Sequence, residues 1–377
     1  MASYSILLCS DYLPPSDGGV EHVVENLALR LSERGHDVGV FTLADDSGID
    51  LRDDPAVTVF EADSLELTDL LGLQSSVAPA AIPEFRRVLR AFDPDLVHVH
   101  NRFFFTSIVG KLHHLLSGYP LVTTLHLGHI DEIDGLGGVL ATGFERTVSR
   151  WIVSGSDHVI CVSGAVEEVA TELGAPRTTV ARNSVDTSRF QPTETDDGVT
   201  VLYVGRLIRN NGPQDLLAAA PDVLETHPDV RIELFGGGPL EETLRRRVAE
   251  LDHSDRVTVH GYVDDITDAY AVGDVFCRPS YSEGLPLTLL ESMACGIPPV
   301  VTPVAGVPEV VTGDRTGRFV SPGDPASIGS ALDDLVADRE QRVAIGRRAR
   351  EYVRTHHSWD QRTTKVITVY ESVMNRD

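Results

Sequence analysis

Residues 278–291 read Arg278-Pro279-Ser280-Tyr281-Ser282-Glu283-Gly284-Leu285-Pro286-Leu287-Thr288-Leu289-Leu290-Glu291 and follow the apolar run Asp274-Val275-Phe276-Cys277. That run has the length and composition of a short buried strand. Pro279, Ser280, Ser282 and Gly284 form the turn after it. Residues 286–294 then have helical character, with Pro286 acceptable in the first turn. Glu283 therefore falls on a loop at the C-terminal edge of a sheet, and Glu291 stands about two helical turns further on. The backbone N–H groups of Gly284, Leu285, Leu287 and Thr288 lie free at this helix start, a place that attracts phosphate oxygens. One carboxylate can meet sugar hydroxyls while the amides meet a phosphate. On this stretch alone, an N-capping region with two unrelated glutamates explains the residues equally well.

Working outward, strand-like apolar runs at 274–277, 299–302 and 318–320 continue a series begun at 199–204, 230–235 and 256–260. An earlier series occupies 4–9, 38–43, 57–60, 96–99, 121–125 and 158–162. Helical patterns intervene, among them 83–92, 104–116 and a segment ending near Glu33 with Val23, Val24, Leu27 and Leu31 at helical spacing. Apolar strands alternating with helices predict an α/β chain with parallel sheets covered on both faces. The polar stretch Gln191-Pro192-Thr193-Glu194-Thr195-Asp196-Asp197-Gly198 reads as a linker. Residues 65–82 are less regular, mixing acidic and apolar residues, and leave an acceptor-side loop or helix open. Ser358-Trp359-Asp360-Gln361 has the form of a capping box and opens an amphipathic helix bearing Val366, Val369, Tyr370 and Val373. Gly18 and Gly19 lie between the first strand and helix and let backbone amides approach a phosphate. Their spacing is not that of the dinucleotide fingerprint, and an ordinary tight turn also fits them.

The chain has 377 residues, which suggests two domains, and a formal net charge of −25 from 57 acidic and 32 basic residues. Lys111 and Lys365 are the only lysines. Acidity spread along the whole chain suits a high-salt cytoplasm, where the Debye length shrinks to about 3 Å at 1 M salt. It argues against nonspecific nucleic-acid binding, which needs a basic surface. Cys9, Cys161, Cys277 and Cys295 are far apart and read as buried free thiols. Neither a signal sequence nor an apolar run of about 20 residues, the length a membrane span needs, is present.

These residues together resemble the retaining, nucleotide-sugar-dependent glycosyltransferases of family 4, over essentially the whole chain. Gly18-Gly19-Val20-Glu21 resembles the family's N-terminal glycine loop, and Thr124-Leu125-His126 its acceptor-side histidine. Asn183-Ser184-Val185-Asp186 with Arg189-Phe190 resembles the end of its first domain. Gly205-Arg206-Leu207, Gly236-Gly237-Gly238-Pro239 and Gly261-Tyr262-Val263 resemble three donor-site loops. Glu283 and Glu291 match its E-x7-E signature, followed by Gly306-Val307-Pro308-Glu309 and Gly317.

The resemblance implies the GT-B architecture: two Rossmann-like domains facing a cleft, with the C-terminal helix crossing back to the first. On that division residues 1–190, with 358–377, form an acceptor-binding domain and 191–357 a nucleotide-sugar-binding domain. It implies a hexosyltransferase-type enzyme moving sugar to a glycan, lipid-linked or small-molecule acceptor, with no cofactor beyond the nucleoside-diphosphate sugar and no metal. Its catalytic residues would be His126, Arg206 and Glu283. Its donor site would comprise Gly18, Gly19, Arg206, Asn211, Tyr262, Val263, Glu283, Gly284, Leu285, Leu287, Thr288 and Glu291. A cytoplasmic enzyme, in peripheral contact with the inner face of the membrane if its acceptor is lipid-linked, is expected. One departure stands out. The family places a lysine five residues after the arginine of Gly-Arg-Leu, and here that position is Asn211. A charge-assisted hydrogen bond is roughly twice as strong as a neutral one, so the alternative is a catalytically weakened nucleotide-sugar-binding protein.

Several other patterns admit plainer readings. His98 and His100 share a strand face and suit a metal pair or, more simply, core or acceptor-edge histidines. Asp93-Pro94-Asp95 mimics a metal-binding D-x-D but precedes its strand, as a turn does. Phe103-Phe104-Phe105 suits a lipid contact or helix-start packing. Arg86, Arg87 and Arg90 suit anionic headgroups or a solvated helix face. Glu145 and Arg146 read as a surface or interdomain pair.

Overall fold

The computed structural model describes residues 3–14, 18–44, 51, 54–66, 76–128, 142–193 and 198–375. It divides into two compact units, Met1–Arg182 with Asp360–Asp377, and Asn183–Trp359. Residues 183–190 thus belong to the second unit, although the sequence places them in the first. The reason is local bonding: Asn183 Nδ2 donates to the Leu285 carbonyl (2.7 Å) and Val185 N to the His357 carbonyl (3.1 Å).

In the first unit, β1 (Ser5–Cys9), β2 (Asp37–Ala44), β3 (Val57–Asp63), β4 (Leu96–His100), β5 (Leu121–Leu125), β6 (His158–Cys161) and β7 (Thr178–Val180) form one sheet. Its order is β3-β2-β1-β4-β5-β6-β7, parallel throughout. Helices α1 (Gly19–Glu33), α2 (Ala81–Phe92), α3 (Phe105–Ser117), α4 (Arg150–Ser154) and α5 (Gly164–Glu172) connect the strands. The strand pleat explains the two cores. Ile6 and Leu8 face one cluster with Val24, Leu27 and Leu31 of α1, while Leu7 and Cys9 face another with Phe41, Phe85 and Leu89. Because both faces are covered, every residue of β4 and β5 is buried, including the polar His98, His100, Thr123 and Thr124.

The second unit repeats the plan with β8 (Val199–Val204), β9 (Val230–Phe235), β10 (Val257–Gly261), β11 (Val275–Arg278), β12 (Pro299–Val301) and β13 (Arg318–Phe319). Its order is β10-β9-β8-β11-β12-β13, again parallel. Helices α6 (Pro213–Thr226), α7 (Glu241–Ala249), α8 (Ile266–Ala271), α9 (Leu287–Ala294), α10 (Gly313–Thr316), α11 (Pro325–Ala337) and α12 (Arg339–His356) accompany it. Val201 and Tyr203 of β8 pack with Leu216, Leu217 and Ala220 of α6 and with Ile328 and Leu332 of α11.

The last helix, α13 (Trp359–Met374), returns to the first unit, as its amphipathic pattern requires. Val366, Ile367, Val369, Tyr370 and Val373 join the cluster of Ile6 and Leu8. Each such fully buried side chain contributes about 2 kcal/mol. Arg34 fastens the helix start by bonds to Thr364 Oγ1 and the Asp360 carbonyl. In both sheets the strand order reverses between the first strand and the fourth, the switch point where open α/β sheets bind ligands at the strand C-termini. Residues 65 and 66 pair antiparallel with 76 and 77 in a small separate ribbon, and residues 67–75 of the same irregular segment lie outside the described residues.

Candidate active site

At the switch point of the second sheet the C-terminal ends of β8 and β11 lie side by side. β11 ends in Arg278, and its guanidinium is nearly fully accounted for. Nε donates to Glu283 Oε1 (2.9 Å) and Ser280 Oγ (3.1 Å), and Nη2 pairs with the same Glu283 oxygen at 2.7 Å. Nη1 reaches Thr288 Oγ1 (2.9 Å) and the Val204 carbonyl (3.3 Å). Both side chains of the pair are 10% exposed. Burial disfavours the Arg278 charge, but the Glu283 carboxylate, with the neighbouring Tyr203 and Tyr270, leaves the pKa raised on balance. Gly205, at φ +148°, makes room for the guanidinium, which a Cβ at that position would strike. Ser280 Oγ also donates to Glu283 Oε1 (2.8 Å). Every recorded bond to Glu283 falls on Oε1, so Oε2 has no partner among the described residues.

Glu283 therefore stands where the sequence places it, on the loop after a strand. The helix does not. It starts at Leu287, and Pro286 precedes it in extended conformation (φ −65°, ψ 131°) as N-cap, so the proline lies just outside the first turn. Leu287 and Thr288 supply first-turn amides, which have no partner within the helix. Glu291 is partly buried, and its Oε2 accepts from the Tyr270 hydroxyl at 2.7 Å. Burial and the neighbouring Glu291 charge hold the Tyr270 phenol well above its ordinary pKa, so it remains a donor. Gly284 and Leu285 are buried, their carbonyls taken by the Gly306 N–H (2.9 Å) and the Asn183 amide.

On the β8 side, Arg206 is partly exposed. Asn211 is 6% exposed, and its amide donates to the Arg206 carbonyl at 2.9 Å. The Tyr203 hydroxyl donates to the same carbonyl at 3.0 Å. Asn211 thus braces the loop of Arg206. Tyr262, 49% exposed, and Val263 follow the end of β10. The neighbouring loops are laced together, Gly236 N–H to the Gly261 carbonyl (2.8 Å) and Leu207 N–H to the Gly237 carbonyl (2.7 Å).

In the first unit the ends of β4 and β5 carry a row of histidines. His98 bonds Tyr370 of α13 and Thr124, each at 2.7 Å, so both of its ring nitrogens are engaged. His100 Nδ1 meets His126 Nε2 at 3.1 Å. Burial lowers all three pKa values, that of His98 to about 3. His98 and His100 are core histidines, and His126 stands beyond the strand end at 7% exposure. Asn101 follows at φ +66°, and the next residue, Arg102, donates to the carbonyls of Leu127 (2.7 Å) and Gly128 (2.6 Å) beside His126. Glu145 pairs with this buried Arg102 at 2.8 Å, not with Arg146 as the sequence suggests. Gly18 precedes α1 in extended backbone, and the Glu21 carboxylate lies directly over it. Gly19 begins the helix, while residues 15–17 of the same loop lie outside the described residues. Asp93 caps α2 in the left-handed region, as a turn residue does. Among the described residues, no group of three or more His, Cys, Asp or Glu side chains is placed to hold a metal ion. The four cysteines are free and buried.

Two family models divide the chain between them. Residues 17–189 match Glycosyltransferase Family 4, and residues 184–352 match Glycosyl transferases group 1. The chain belongs to glycosyltransferase family 4. It is 27% identical over 98% of its length, and 81% of the relative's, to the phosphatidylinositol N-acetylglucosaminyltransferase gpi3 subunit of Schizosaccharomyces pombe. In fold it is similar to sucrose-phosphate synthase from Thermosynechococcus elongatus, at TM-score 0.84 and 22% identity, covering 97% of this chain and 98% of that one. It is also similar to HepE of Anabaena, solved with UDP-glucose, at TM-score 0.78 and 20% identity over 97% and 99% of the two chains. The two Rossmann-like units are those of the GT-B class, and the protein is a nucleotide-sugar glycosyltransferase of that type.

Within this family 4 fold, the second unit brings Arg206, Asn211, Glu283, Gly284, Leu285, Leu287, Thr288 and Glu291 to the β8 and β11 ends of its sheet, with Tyr262 and Val263 at the end of β10. Gly18, Gly19 and His126 lie in the first unit. Three partners escape a reading of the sequence. Tyr270 holds Glu291, and Arg102 flanks His126 together with His100, which the sequence already offers as an acceptor-edge histidine. Arg278 is the third. Its signal is visible in retrospect, because a cation directly after Val275-Phe276-Cys277 breaks the pattern of a buried strand.

Proposed function

We propose that this protein transfers a sugar, with retention of anomeric configuration, from a nucleoside-diphosphate sugar to a glycan, lipid-linked or small-molecule acceptor. One observation carries the reading. Glu283 and Thr288 share the Arg278 guanidinium, Glu283 Oε2 has no partner among the described residues, and Thr288 stands in the open first turn of α9, so a carboxylate for hydroxyls and helix-start amides for an anion gather at a strand-order switch point. In the transfer the bond between the anomeric carbon and the diphosphate breaks, and negative charge gathers on the leaving phosphate. Fixed donors aimed at that charge are what the reaction needs. Arg206, the α9 amides and the Gly18-Gly19 loop supply them in this reading. Glu283 orients the sugar, Glu291 accepts from ribose hydroxyls, Tyr262 and Val263 face the base, and His126 lines the sugar's acceptor side. The relative that carries phosphatidylinositol in its name favours a lipid-linked acceptor, and with it work in the cytoplasm at the inner membrane face.

The purified protein, in molar salt, would be offered UDP- and GDP-sugars with glycan and lipid-phosphate acceptors. Donor-dependent product with the donor's anomeric configuration, read by NMR, is expected. No nucleotide binding or release across the panel would overturn the reading. A second reading, donor binding with weakened transfer, is favoured by Asn211, whose amide is spent on the Arg206 carbonyl. It expects calorimetric binding of the donor without turnover.

A further inference from the structure

We propose that Arg278 supplies the diphosphate-binding cation that position 211 lacks, the charge having moved from the loop after β8 to the end of β11. The inference rests on the donor-site reading above. Its first support is what Asn211 does. The side chain is buried and uncharged, and one of its N–H groups goes to the Arg206 carbonyl, so it brings a diphosphate no cation. Its second support is place. Ser280 Oγ lies 3.1 Å from Arg278 Nε and 3.5 Å from the Asn211 carbonyl, so the two positions share one cluster across the switch point. Arg278 Nη1 holds Thr288 Oγ1, and the Thr288 amide belongs to the open first turn of α9. An anion on those amides would therefore lie beside the guanidinium.

The third support is the donor count. A guanidinium carries five N–H groups. Nε–H goes to Glu283 with Ser280, the two of Nη1 to Thr288 and Val204, and one of Nη2 to Glu283. One Nη2 N–H has no partner among the described residues. It belongs to a planar donor already fixed by Glu283, so no side-chain ordering remains to be done when phosphate charge develops. Charge balance gives the decisive consequence. The cluster holds one carboxylate and one cation. Lysine at 211 would add a second cation beside Arg278, whereas in place of Arg278 it would restore the balance.

The test compares wild type with Arg278→Met, Asn211→Lys and the double variant, by calorimetry with UDP and GDP and with UMP and GMP as controls. Arg278→Met is expected to weaken the diphosphate that wild type binds by about tenfold or more, as loss of a charge-assisted bond should. The matching monophosphate should change much less. Asn211→Lys alone should not tighten the diphosphate, yet in the Arg278→Met background it should recover most of the loss. Diphosphate affinity unchanged in Arg278→Met, or equal tightening by Asn211→Lys in both backgrounds, overturns the proposal and leaves the donor site standing. Wild type binding neither UDP nor GDP overturns the donor-site reading and this proposal with it. Should Arg278→Met fail to fold by thermal denaturation, Arg278→Lys retains the charge without the fork. It is expected to bind diphosphate between wild type and a tenfold loss, and wild-type affinity would count against the fork.

Discussion

Replacing Glu283 by Gln removes one charge at nearly constant shape, and the structure makes two separable effects follow. The first is on stability. Glu283 Oε1 takes Nε and Nη2 of Arg278, and both side chains are 10% exposed. Removing one member of a fully buried pair costs about 3–5 kcal/mol. The glutamine oxygen still accepts a neutral hydrogen bond and the site is not wholly dry, so a loss of about 2 kcal/mol is expected. For a unit of this size that lowers the melting midpoint by roughly 4–8 °C. The second effect is on transfer. If Oε2 accepts a sugar hydroxyl, the charge-assisted bond there is worth about 1.5–3 kcal/mol, or about 10- to 150-fold in kcat/KM.

Nucleotide affinity should behave differently. Without the carboxylate, Arg278 has more donor capacity for phosphate, so UDP or GDP should bind Glu283→Gln at least as tightly as wild type. The assays are differential scanning calorimetry, nucleotide titration calorimetry and initial rates at saturating acceptor. A folded variant whose kcat/KM stays within about twofold of wild type would refute the sugar contact. Nucleotide affinity falling as steeply as kcat/KM would refute the division of labour between Glu283 and Arg278.

Three further outcomes test the fold that carries the site. Asp11 is buried and accepts from Phe105 N (2.7 Å) and Thr106 N (2.8 Å), yet burial raises its pKa from 3.8 to about 6. Its protonated form is the one the fold favours, so its contribution is fully present below about pH 4 and is lost as pH rises through 6. The difference is worth about 3 kcal/mol, and urea denaturation of wild type against Asp11→Asn across pH 4–7 should show it as a slope present only in wild type. Tyr370→Phe removes a 2.7 Å bond and strands a buried His98 nitrogen. It should destabilise the first unit by about 1–3 kcal/mol, read by calorimetry. Gly346→Ala, within α12, would gain about 1 kcal/mol of helix propensity, but its Cβ would run into the Gly296 carbonyl. Chemical denaturation should therefore show net destabilisation, and net stabilisation would contradict this packing.

Much of this fold can be read from the chain because its strands are buried on both faces. Ile6-Leu7-Leu8-Cys9 and Leu121-Val122-Thr123-Thr124-Leu125 have no polar face to confuse their length. The boundary at Asn183 cannot be read, because it depends on a side-chain amide meeting a carbonyl about a hundred residues away. Pro286 lies one residue outside α9, a boundary the sequence leaves ambiguous because proline suits both the N-cap and the first turn.

The site divides in the same way. Loops after strands announce Arg206 and Glu283, since ligand-binding residues of α/β sheets gather at strand C-termini, and Glu291 follows in the helix by its spacing from Glu283. The direction of a side chain is another matter. Asn211 occupies the position of a phosphate ligand in sequence, yet its amide turns to the backbone because Tyr203 and the Arg206 carbonyl meet it there. The overall charge of −25 describes the whole chain and says nothing about a single buried guanidinium. Salt that screens exposed charges acts far less on a pair as buried as Arg278 and Glu283. A cation held inside the sheet edge by a buried carboxylate accordingly keeps its pairing in the salt that suits an acid-rich, lysine-poor protein. On that argument Asn211 and Arg278 form one exchange of position for the same charge.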